Sequence, residues 1–262
     1  MHQLVIVGGG RMGEALLGGL LAAGRQPADL AVVEPDASRR RALEARFPDV
    51  LTSDGPLPAH GVVLAVKPGT IAPAARAAGE AGCRRVLSIA AGVTIGALEA
   101  ALPAGTPVVR AMPNTPALVG AGAAAIAGGS SADDADLAWA EEVLGAVGVV
   151  VRVDEPLLDA VTGLSGSGPA YVFLVAEALV DAGVLVGLPR DLASTLAIQT
   201  LLGSARLLAE GDDGPEALRA AVTSPGGTTA AGLAVLEDRA VRAAFLGAVR
   251  AATDRSRTLG EA

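Results

Sequence analysis

Residues 3–13 read QLVIVGGGRMG, and this stretch decides the fold of the chain. Its first half, Gln3–Val7, is a run of mostly aliphatic residues that predicts a short buried strand. Gly8, Gly10 and Gly13 follow with the spacing of a dinucleotide-binding turn, and an apolar helical pattern comes next. A strand, a glycine turn and a helix in this order predict the first βα unit of a parallel, Rossmann-type sheet.

Each glycine of the turn has its own expected role. We expect Gly8 to make the tight turn, Gly10 to let a pyrophosphate approach the backbone, and Gly13 to let helix and strand pack closely. Arg11 and Met12 lie between these glycines and are cofactor-binding candidates with them. Glycine makes up 34 of the 262 residues, so the spacing alone is a weak signal. The strand before the turn and the helix after it strengthen the prediction.

An acid stands where a nucleotide ribose would bind. Glu34 ends the second predicted strand, 21 positions after Gly13, and an acid there binds the ribose 2′-hydroxyl of NAD. Its charge would repel a 2′-phosphate and favours NADH. The arginines at 39–41 are close enough to hold that phosphate if the acid turned away, although a solvated helix face is the interpretation we favour. The expected cofactor is therefore NADPH or NADH.

Strands alternate with helices as far as residue 153, which predicts an α/β fold with a doubly wound parallel sheet. Beyond that point the pattern is helical throughout. We therefore predict a dinucleotide-binding Rossmann domain at residues 1–153 and an all-helical domain at residues 154–262. The predicted strands are Gln3–Val7, Leu30–Glu34, Val62–Val66, Val86–Ile89, Val108–Met112, Ala121–Ala127 and Val147–Val153. The predicted later helices are Leu157–Leu164, Pro169–Leu185, Asp191–Glu210, Pro215–Val222 and Thr228 to about Leu259.

Three loops follow strands whose carboxyl ends share one edge of the predicted sheet, where ligands of such sheets bind. One loop contains the only lysine of the chain, one has small residues that would let a nicotinamide ring lie flat, and one is stiffened by two prolines. Each loop taken alone is also compatible with a plain turn. The cofactor-binding candidates in these loops are Ala65, Val66, Lys67, Pro68, Ala90, Ala91 and Asn114.

Composition excludes several classes of protein. The net charge of −8, with acids and bases interspersed, argues against a nucleic-acid partner. His2, His60 and Cys83 are the only histidines and cysteine, so we expect no metal site and no internal disulfide. The first residues lack the basic flank and long apolar run of a signal peptide. We expect a cytoplasmic protein.

The segment Pro169–Leu188 is apolar enough to raise the question of a membrane span. Glu177 and Asp181 lie within it and would be costly inside a bilayer. We therefore expect a buried helix and no membrane partner. Aromatic residues make up only 2% of the chain, so its helices must pack closely through Ala, Val and Leu. Such apolar helices often continue into a subunit interface, which predicts a homo-oligomer.

A second glycine-containing helix start lies in the helical half of the chain. The segment Ser224–Thr229, SPGGTT, predicts a turn followed by a helix. The unpaired N–H groups and the positive dipole end of such a helix suit a carboxylate. The other interpretation is an ordinary helix cap. The substrate-binding candidates are Gly226, Gly227, Thr228 and Thr229.

The helical half lacks the usual bases of dehydrogenases. Residues 154–262 contain no lysine and no histidine, and Tyr171 is their only tyrosine. Oxidation of an alcohol needs a base for the hydroxyl proton, which argues against a β-hydroxyacid dehydrogenase. A C=N substrate can carry its own proton as an iminium and needs mainly hydride and positioning. The junction Ser165–Tyr171 either packs against substrate or is a rigid helix start.

The motifs together resemble those of pyrroline-5-carboxylate reductases over nearly the whole chain. The family implies a Rossmann domain followed by a helical domain for substrate binding and dimerisation, here residues 154–262, with the active site between the two domains. It implies NAD(P)H-dependent reduction of 1-pyrroline-5-carboxylate to L-proline, the final step of proline biosynthesis. It also implies dimers with intertwined helices and higher assemblies such as decamers. The matching segments are residues 8–13, 65–68, 90–95, 112–116, 159–171 and 224–229.

The resemblance also implies residue roles. Gly227, Thr228 and Thr229 would hold the substrate carboxylate, and the Thr229 hydroxyl would lie nearest the ring nitrogen as the catalytic group. Glu155 falls where the family has an acid near the ligand. Ala221 departs from relatives that carry a polar side chain touching the cofactor. A nucleotide sensor without turnover and a paralogue for a related ring, such as pyrroline-2-carboxylate, remain alternatives.

Overall fold

The computed structural model describes residues 1–260, which form two compact units. Unit 1 comprises Met1–Ser167 together with the chain from Arg250 onward, and unit 2 comprises Gly168–Val249. The strands all belong to unit 1. They are β1 His2–Val7, β2 Leu30–Val33, β3 Leu51–Ser53, β4 Ala59–Leu64, β5 Arg85–Ser88, β6 Val108–Met112, β7 Gly122–Gly128 and β8 Gly148–Arg152.

The strands form one sheet in the order β3-β2-β1-β4-β5-β6-β7-β8. All neighbouring strands are parallel except β6 and β7, which run antiparallel. The direction of winding reverses between β1 and β4. Such a reversal opens a crevice at the carboxyl ends of the strands, where doubly wound sheets bind nucleotides. The predicted fold class is confirmed for this half of the chain.

Helices cover both faces of the sheet because its strands are apolar on both sides. Ile6 packs with the buried leucines of the first helix on one face, and Val5 belongs to the core on the other. The fifth helix begins with a capping box, in which Asp133 and Asp136 each bond the backbone N–H of the other. The helices of unit 1 are α1 Arg11–Ala22, α2 Ala37–Arg46, α3 Ile71–Glu80, α4 Ile95–Ala101, α5 Asp134–Gly145 and α6 Leu158–Val161.

The predicted strands are all present, with ends close to the predicted residues. The prediction missed β3, which pairs with β2 at the edge of the sheet. Three partly exposed residues give too short a pattern to distinguish from a loop. The predicted helix Leu157–Leu164 is also irregular. A 3₁₀ turn Glu155–Leu157 precedes α6, and a π-helical turn Thr162–Gly166 follows it.

The sheet ends at Arg152, yet unit 1 continues to Ser167. Leu158 is fully buried in the core of the sheet, so the segment that follows β8 packs on unit 1. The chain also returns to this unit, where the Ser256 hydroxyl donates to Asp159 at 2.7 Å. The predicted division at 153/154 therefore passes through unit 1 and does not separate the compact units.

Unit 2 contains helices and connecting loops but no strand among its described residues. α7 packs against α8 at a site where a Cβ on Gly183 would lie 2.9 Å from the Ala193 side chain. The expectation of one helix from Thr228 to about Leu259 is wrong. The helix that begins at Thr228 ends at Asp238, and a second helix begins at Val241. Between them, Ala240 adopts a left-handed φ of 54°. Its helices are α7 Gly168–Leu185, α8 Arg190–Glu210, α9 Pro215–Ala221, α10 Thr228–Asp238 and α11 Val241–Gly260, the last continuing into unit 1.

The expectation that Pro169–Leu188 is buried is also wrong for a single copy of the chain. No residue of α7 is buried, and Phe173, Leu174 and Leu185 are 61%, 65% and 86% exposed. By length and composition, two helical stretches of the described chain could cross a membrane, Glu155–Leu185 and Arg190–Glu210. The apolar side chains of α7 are therefore exposed to solvent in a single copy of the chain.

Candidate active site

The glycine turn has the geometry expected of a pyrophosphate site. Gly8 has a φ of +105°, and a Cβ there would lie 2.6 Å from the Ala65 carbonyl oxygen. A Cβ on Gly13 would overlap the Gly8 carbonyl oxygen, so helix and strand could not approach as closely. A Cβ on Gly10 would meet nothing within 4 Å. Gly10 also begins α1 without a side-chain cap, which leaves N–H groups for an anion.

A groove beside this turn fits an adenosine. The cavity has a volume of about 430 Å³ and lies where the winding reverses, between the ends of β1, β2 and β4. Its walls include Gly8, Glu34, Pro35 and Val66 and are mostly apolar, as a flat adenine ring requires. The residues present therefore fit a dinucleotide. Ala65 lies at the same place, and its N–H donates to Val7 at 2.8 Å.

Glu34 lies at the edge of this groove and is held there by backbone groups. One carboxylate oxygen accepts the Gly9 N–H and the other accepts the Asp36 N–H, both at 2.9 Å. The acid is therefore attached to the glycine turn. The sequence predicted the position of Glu34, and the structure adds the contact with Gly9.

Two of the three arginines that follow are engaged, and for these the solvated interpretation is wrong. Arg39 donates to the Gly9 carbonyl and to the Glu14 carboxylate, which also pairs with Arg46. Burial alone would raise the pKa of Glu14, but the hydrogen bonds and charges of Arg39 and Arg46 together lower this pKa. Arg40 donates to the carbonyls of Glu34 and Pro35. Arg41 is exposed.

Two of the predicted loops meet at a second cavity of unit 1, about 380 Å³ in volume. Pro68 and Ala91 both line it, together with Thr162 and Ser167 of the segment that follows α6. Ala90 is buried next to this cavity. Lys67 is exposed at the start of a 3₁₀ turn, and its amine has no ion pair within residues 1–260.

Asn114 uses its amide within the chain. Its side-chain nitrogen donates to the Ser165 carbonyl at 3.0 Å, and its oxygen accepts the Ala123 N–H at 2.8 Å. A Cβ on Gly166 would lie 2.5 Å from the Met112 side chain, so the same loop packs tightly on the π-helical turn. These contacts hold the Met112–Pro116 loop in place. A contact of Asn114 with cofactor stays a prediction.

Glu155 also has partners in unit 1. One of its oxygens accepts the Ile95 N–H at 2.7 Å and pairs with Arg110 at 2.9 Å. The Arg110 side chain is only 8% exposed, whereas that of Glu155 is 31% exposed. Sequence reasoning missed Arg110, although a charge inside the predicted strand Val108–Met112 was a signal for it. The pair connects β6 to the start of α4, just after the Ala90–Ala91 loop.

The remaining candidates lie in unit 2, at the start of α10. Gly226 has a φ of +70°, and Gly227 occupies the N-cap position without a side-chain cap. Thr228 is exposed and Thr229 is half-buried, and neither hydroxyl has a hydrogen bond in the described chain. The first N–H groups of a helix have no partners within the helix. This start therefore offers donors to an anion.

Comparison with known proteins decides the family. The family model "Pyrroline-5-carboxylate reductase dimerisation" matches residues 155–259, and "NADP oxidoreductase coenzyme F420-dependent" matches residues 3–92. A pyrroline-5-carboxylate reductase of Synechocystis sp. is 47% identical over 99% of this chain and 98% of its own length. The chain belongs to the pyrroline-5-carboxylate reductase family. The resemblance inferred from the motifs is thereby confirmed.

Other reductases of this family agree with the assignment. The Mycobacterium tuberculosis protein is also 47% identical, over 99% of this chain and 97% of its own length. A solved reductase from Coxiella burnetii is 36% identical with a TM-score of 0.93, covering 98% of both chains. The Plasmodium falciparum enzyme, solved with NADP bound, is 29% identical with a TM-score of 0.85, covering 99% of this chain and 98% of its own. The dimerisation match indicates a homo-oligomer.

Proposed function

We propose that the chain reduces 1-pyrroline-5-carboxylate to L-proline with a hydride from NADPH or NADH, as the last step of proline biosynthesis. The enzyme is thus an oxidoreductase that acts on a cyclic C=N bond. The observation that carries this proposal is the start of α10, where N–H groups and threonine hydroxyls without partners form a site suited to a small carboxylate. The glycine turn of unit 1 supplies a dinucleotide site of the matching kind.

The carboxylate of the substrate binds at Gly226, Gly227, Thr228 and Thr229. The left-handed φ of Gly226 turns the chain so that the helix can begin at Gly227. Backbone N–H groups at a helix start attract an anion through hydrogen bonds and through the helix dipole. They position the ring by its carboxylate and leave its C=N carbon free for the hydride.

The site needs no strong acid to protonate the ring nitrogen and no strong base. An iminium already carries that proton, and a bound reduced nicotinamide supplies the hydride that converts the C=N bond to a C–N bond. The Thr229 hydroxyl is the catalytic group, because it can accept a hydrogen bond from the iminium N–H or relay a proton to the nitrogen. This assignment agrees with the absence of lysine and histidine from residues 154–262.

The apolar faces of α7 and α8 pair with a second copy of the chain. Their exposed side chains form the dimer interface in this proposal, with intertwined helices and with decamers as the higher assembly. Two acids in α7, Glu177 and Asp181, favour a protein partner over lipid. The net charge of −8 argues against nucleic acid, and the single cysteine suits the cytoplasm.

A steady-state assay with pyrroline-5-carboxylate and each cofactor tests this function. Thr229→Ala should lower kcat/KM about 100-fold, the size of loss seen when one hydrogen-bonding group is removed from a reacting centre, and should leave thermal unfolding unchanged. Thr200→Ala is the matched control, because the Thr200 hydroxyl already bonds the Leu196 carbonyl within α8. It should keep wild-type kinetics.

Two results would contradict the proposal. Turnover of Thr229→Ala at the wild-type rate would remove Thr229 from the catalytic role. Binding of NADH without consumption of any cyclic imine would favour a nucleotide sensor. Preference for pyrroline-2-carboxylate in the same assay would identify a paralogue for that ring.

A further inference from the structure

We propose that the chain selects NADH over NADPH, because Glu34 is locked at the ribose end of the adenosine groove and the two nearest arginines are occupied. This inference rests on the proposed use of the glycine turn as the dinucleotide site. It goes beyond the proposed function by stating that the groove accepts a ribose without a 2′-phosphate. The specificity-determining residue is Glu34. Arg39 and Arg40 contribute because their hydrogen bonds within the chain keep them from binding a 2′-phosphate.

Glu34 is held in position by two backbone donors, one for each oxygen. The Gly9 N–H belongs to the glycine turn, and the Asp36 N–H belongs to the loop that leads into α2. A carboxylate oxygen can accept more than one hydrogen bond, so Glu34 can still accept a ribose hydroxyl. Turning the side chain away would break both backbone bonds. The acid therefore stays where a 2′-phosphate would have to lie.

Neither of the first two arginines is free to neutralise that phosphate. Arg39 donates to the Gly9 carbonyl and is paired with Glu14. Arg40 donates to the carbonyls of Glu34 and Pro35, at 2.7 and 2.8 Å, and lies 3.6 Å from the Asp54 carboxylate. Recruiting Arg39 or Arg40 would leave the half-buried carbonyl of Gly9 or of Glu34 without its donor, which costs stability.

The charge around the groove also disfavours a phosphate. Glu34 and Asp54 both line the cavity, and Asp36 follows one residue after the lining residue Pro35, with its carboxylate bonded to Ser38 and to the Arg39 N–H. These acids are close to the place of the ribose, whereas the adjacent cations are already paired. Arg41 is exposed on the next position of α2, and it is the remaining candidate for a phosphate contact.

Equilibrium binding of NADH and NADPH, followed by nucleotide fluorescence without imine, tests the proposal independently of turnover. The wild-type Kd for NADPH should exceed that for NADH at least 10-fold. Glu34→Gln should reduce this ratio about 10-fold by removing the charge. Glu44→Gln is the matched control, because this acid of α2 bonds Thr52 away from the groove. It should leave the ratio unchanged.

Two further variants keep the test decisive if Glu34→Gln loses structure. Asp54→Asn removes a charge from the groove without touching Gly9 and should reduce the ratio by a smaller factor, about 2- to 3-fold. Arg41→Ala should leave NADPH binding unchanged. A selective loss of NADPH affinity in Arg41→Ala, or equal wild-type affinities for the two nucleotides, would overturn the proposal.

The outcome is separable from that of the proposed function. If the enzyme reduces the imine but prefers NADPH, the selectivity inference fails and the function stands. If NADH binds selectively but no cyclic imine is reduced, the function fails and the role of Glu34 stands.

Discussion

Two glycine-containing helix starts, the turn at Gly8–Gly13 and the turn at Gly226–Gly227, differ in the surroundings of the glycine that takes a left-handed φ, Gly8 in the first and Gly226 in the second. In the first, a Cβ on Gly8 or Gly13 would collide with backbone atoms of the same chain. In the second, a Cβ on Gly226 would meet nothing within 4 Å, although its φ of +70° still favours glycine. In the first turn, Gly8 and Gly13 must be glycine because the surrounding backbone leaves no room for a Cβ. In the second turn, Gly226 is needed for its left-handed φ, and the free space around it could admit a ligand.

This difference separates residues that hold the fold from residues that hold a ligand. Changes at packed positions should affect unfolding first and binding second. Changes at open positions should affect binding with little effect on unfolding. The variants below test this division at the two turns and at two ion pairs of unit 1.

The largest effect is expected within the first turn, from the pair Gly13→Ala and Gly10→Ala. Gly13→Ala would place a methyl group on the Gly8 carbonyl and should cost about 3 kcal/mol of stability, with loss of nucleotide binding. Gly10→Ala has free space and should retain the melting temperature but weaken nucleotide binding at least 10-fold. Chemical denaturation and NADH titration measure both. Equal stability of the two variants would break the comparison.

The next largest effect concerns Glu155 and tests whether it belongs with the packed or the ligand-binding residues. Glu155→Gln leaves the buried Arg110 without its charge partner and should cost about 2 kcal/mol. The double variant Arg110→Met with Glu155→Gln should recover most of that stability, because no unpaired charge remains. If kcat recovers as well, Glu155 acts by positioning. If stability recovers and kcat does not, the predicted contact of Glu155 with substrate is supported.

A smaller loss of stability is expected at the open turn. Gly226→Ala must hold a left-handed φ and should cost about 1 kcal/mol. The same change should raise the KM for the imine at least 10-fold, because it shifts the donors at the start of α10. NADH affinity should not change. A loss of NADH binding equal to the loss of substrate binding would contradict the assignment.

The smallest effect is expected at Glu14, whose pKa in the folded chain is lowered by its two arginines. A lowered folded pKa stabilises the protein above the ordinary value of 4.5, and this contribution is lost as the pH falls through the lowered pKa. Glu14→Gln should therefore reduce stability by at most about 1 kcal/mol at pH 7. The difference from wild type should shrink as the pH falls below 4.5 and disappear below the lowered pKa of Glu14. A difference that grows toward acid pH would contradict this sign.

The sheet was predictable because its strands are short, continuous apolar runs between glycine- and proline-rich loops. The sequence did not predict β3, because Leu51–Ser53 is short and lies at an edge of the sheet. The sequence did not predict the break before α11, because neither glycine nor proline marks it and alanine is a residue that rarely takes the left-handed φ found at Ala240. The exposure of α7 escaped because composition does not tell whether an apolar helix is covered by its own chain or by another copy.

The sequence predicted where the site residues lie in the fold better than it predicted which groups they contact. The spacing from Gly13 located Glu34, but no pattern could show that its carboxylate bonds the Gly9 N–H. The Asn114 amide was expected to face a cofactor, and it holds Ala123 and Ser165. Such contacts join residues that are far apart in sequence. They depend on how elements pack, which local periodicity does not encode.

The path of the chain makes unit 2 an insertion. The chain leaves unit 1 after Ser167 and re-enters it at Arg250, where α11 supplies Ser256 to Asp159. A protease cut in the exposed segment at residues 211–214 would thus leave two fragments that each carry part of unit 1. Those fragments should remain associated after cleavage, and a truncation at residue 249 should damage the nucleotide-binding unit.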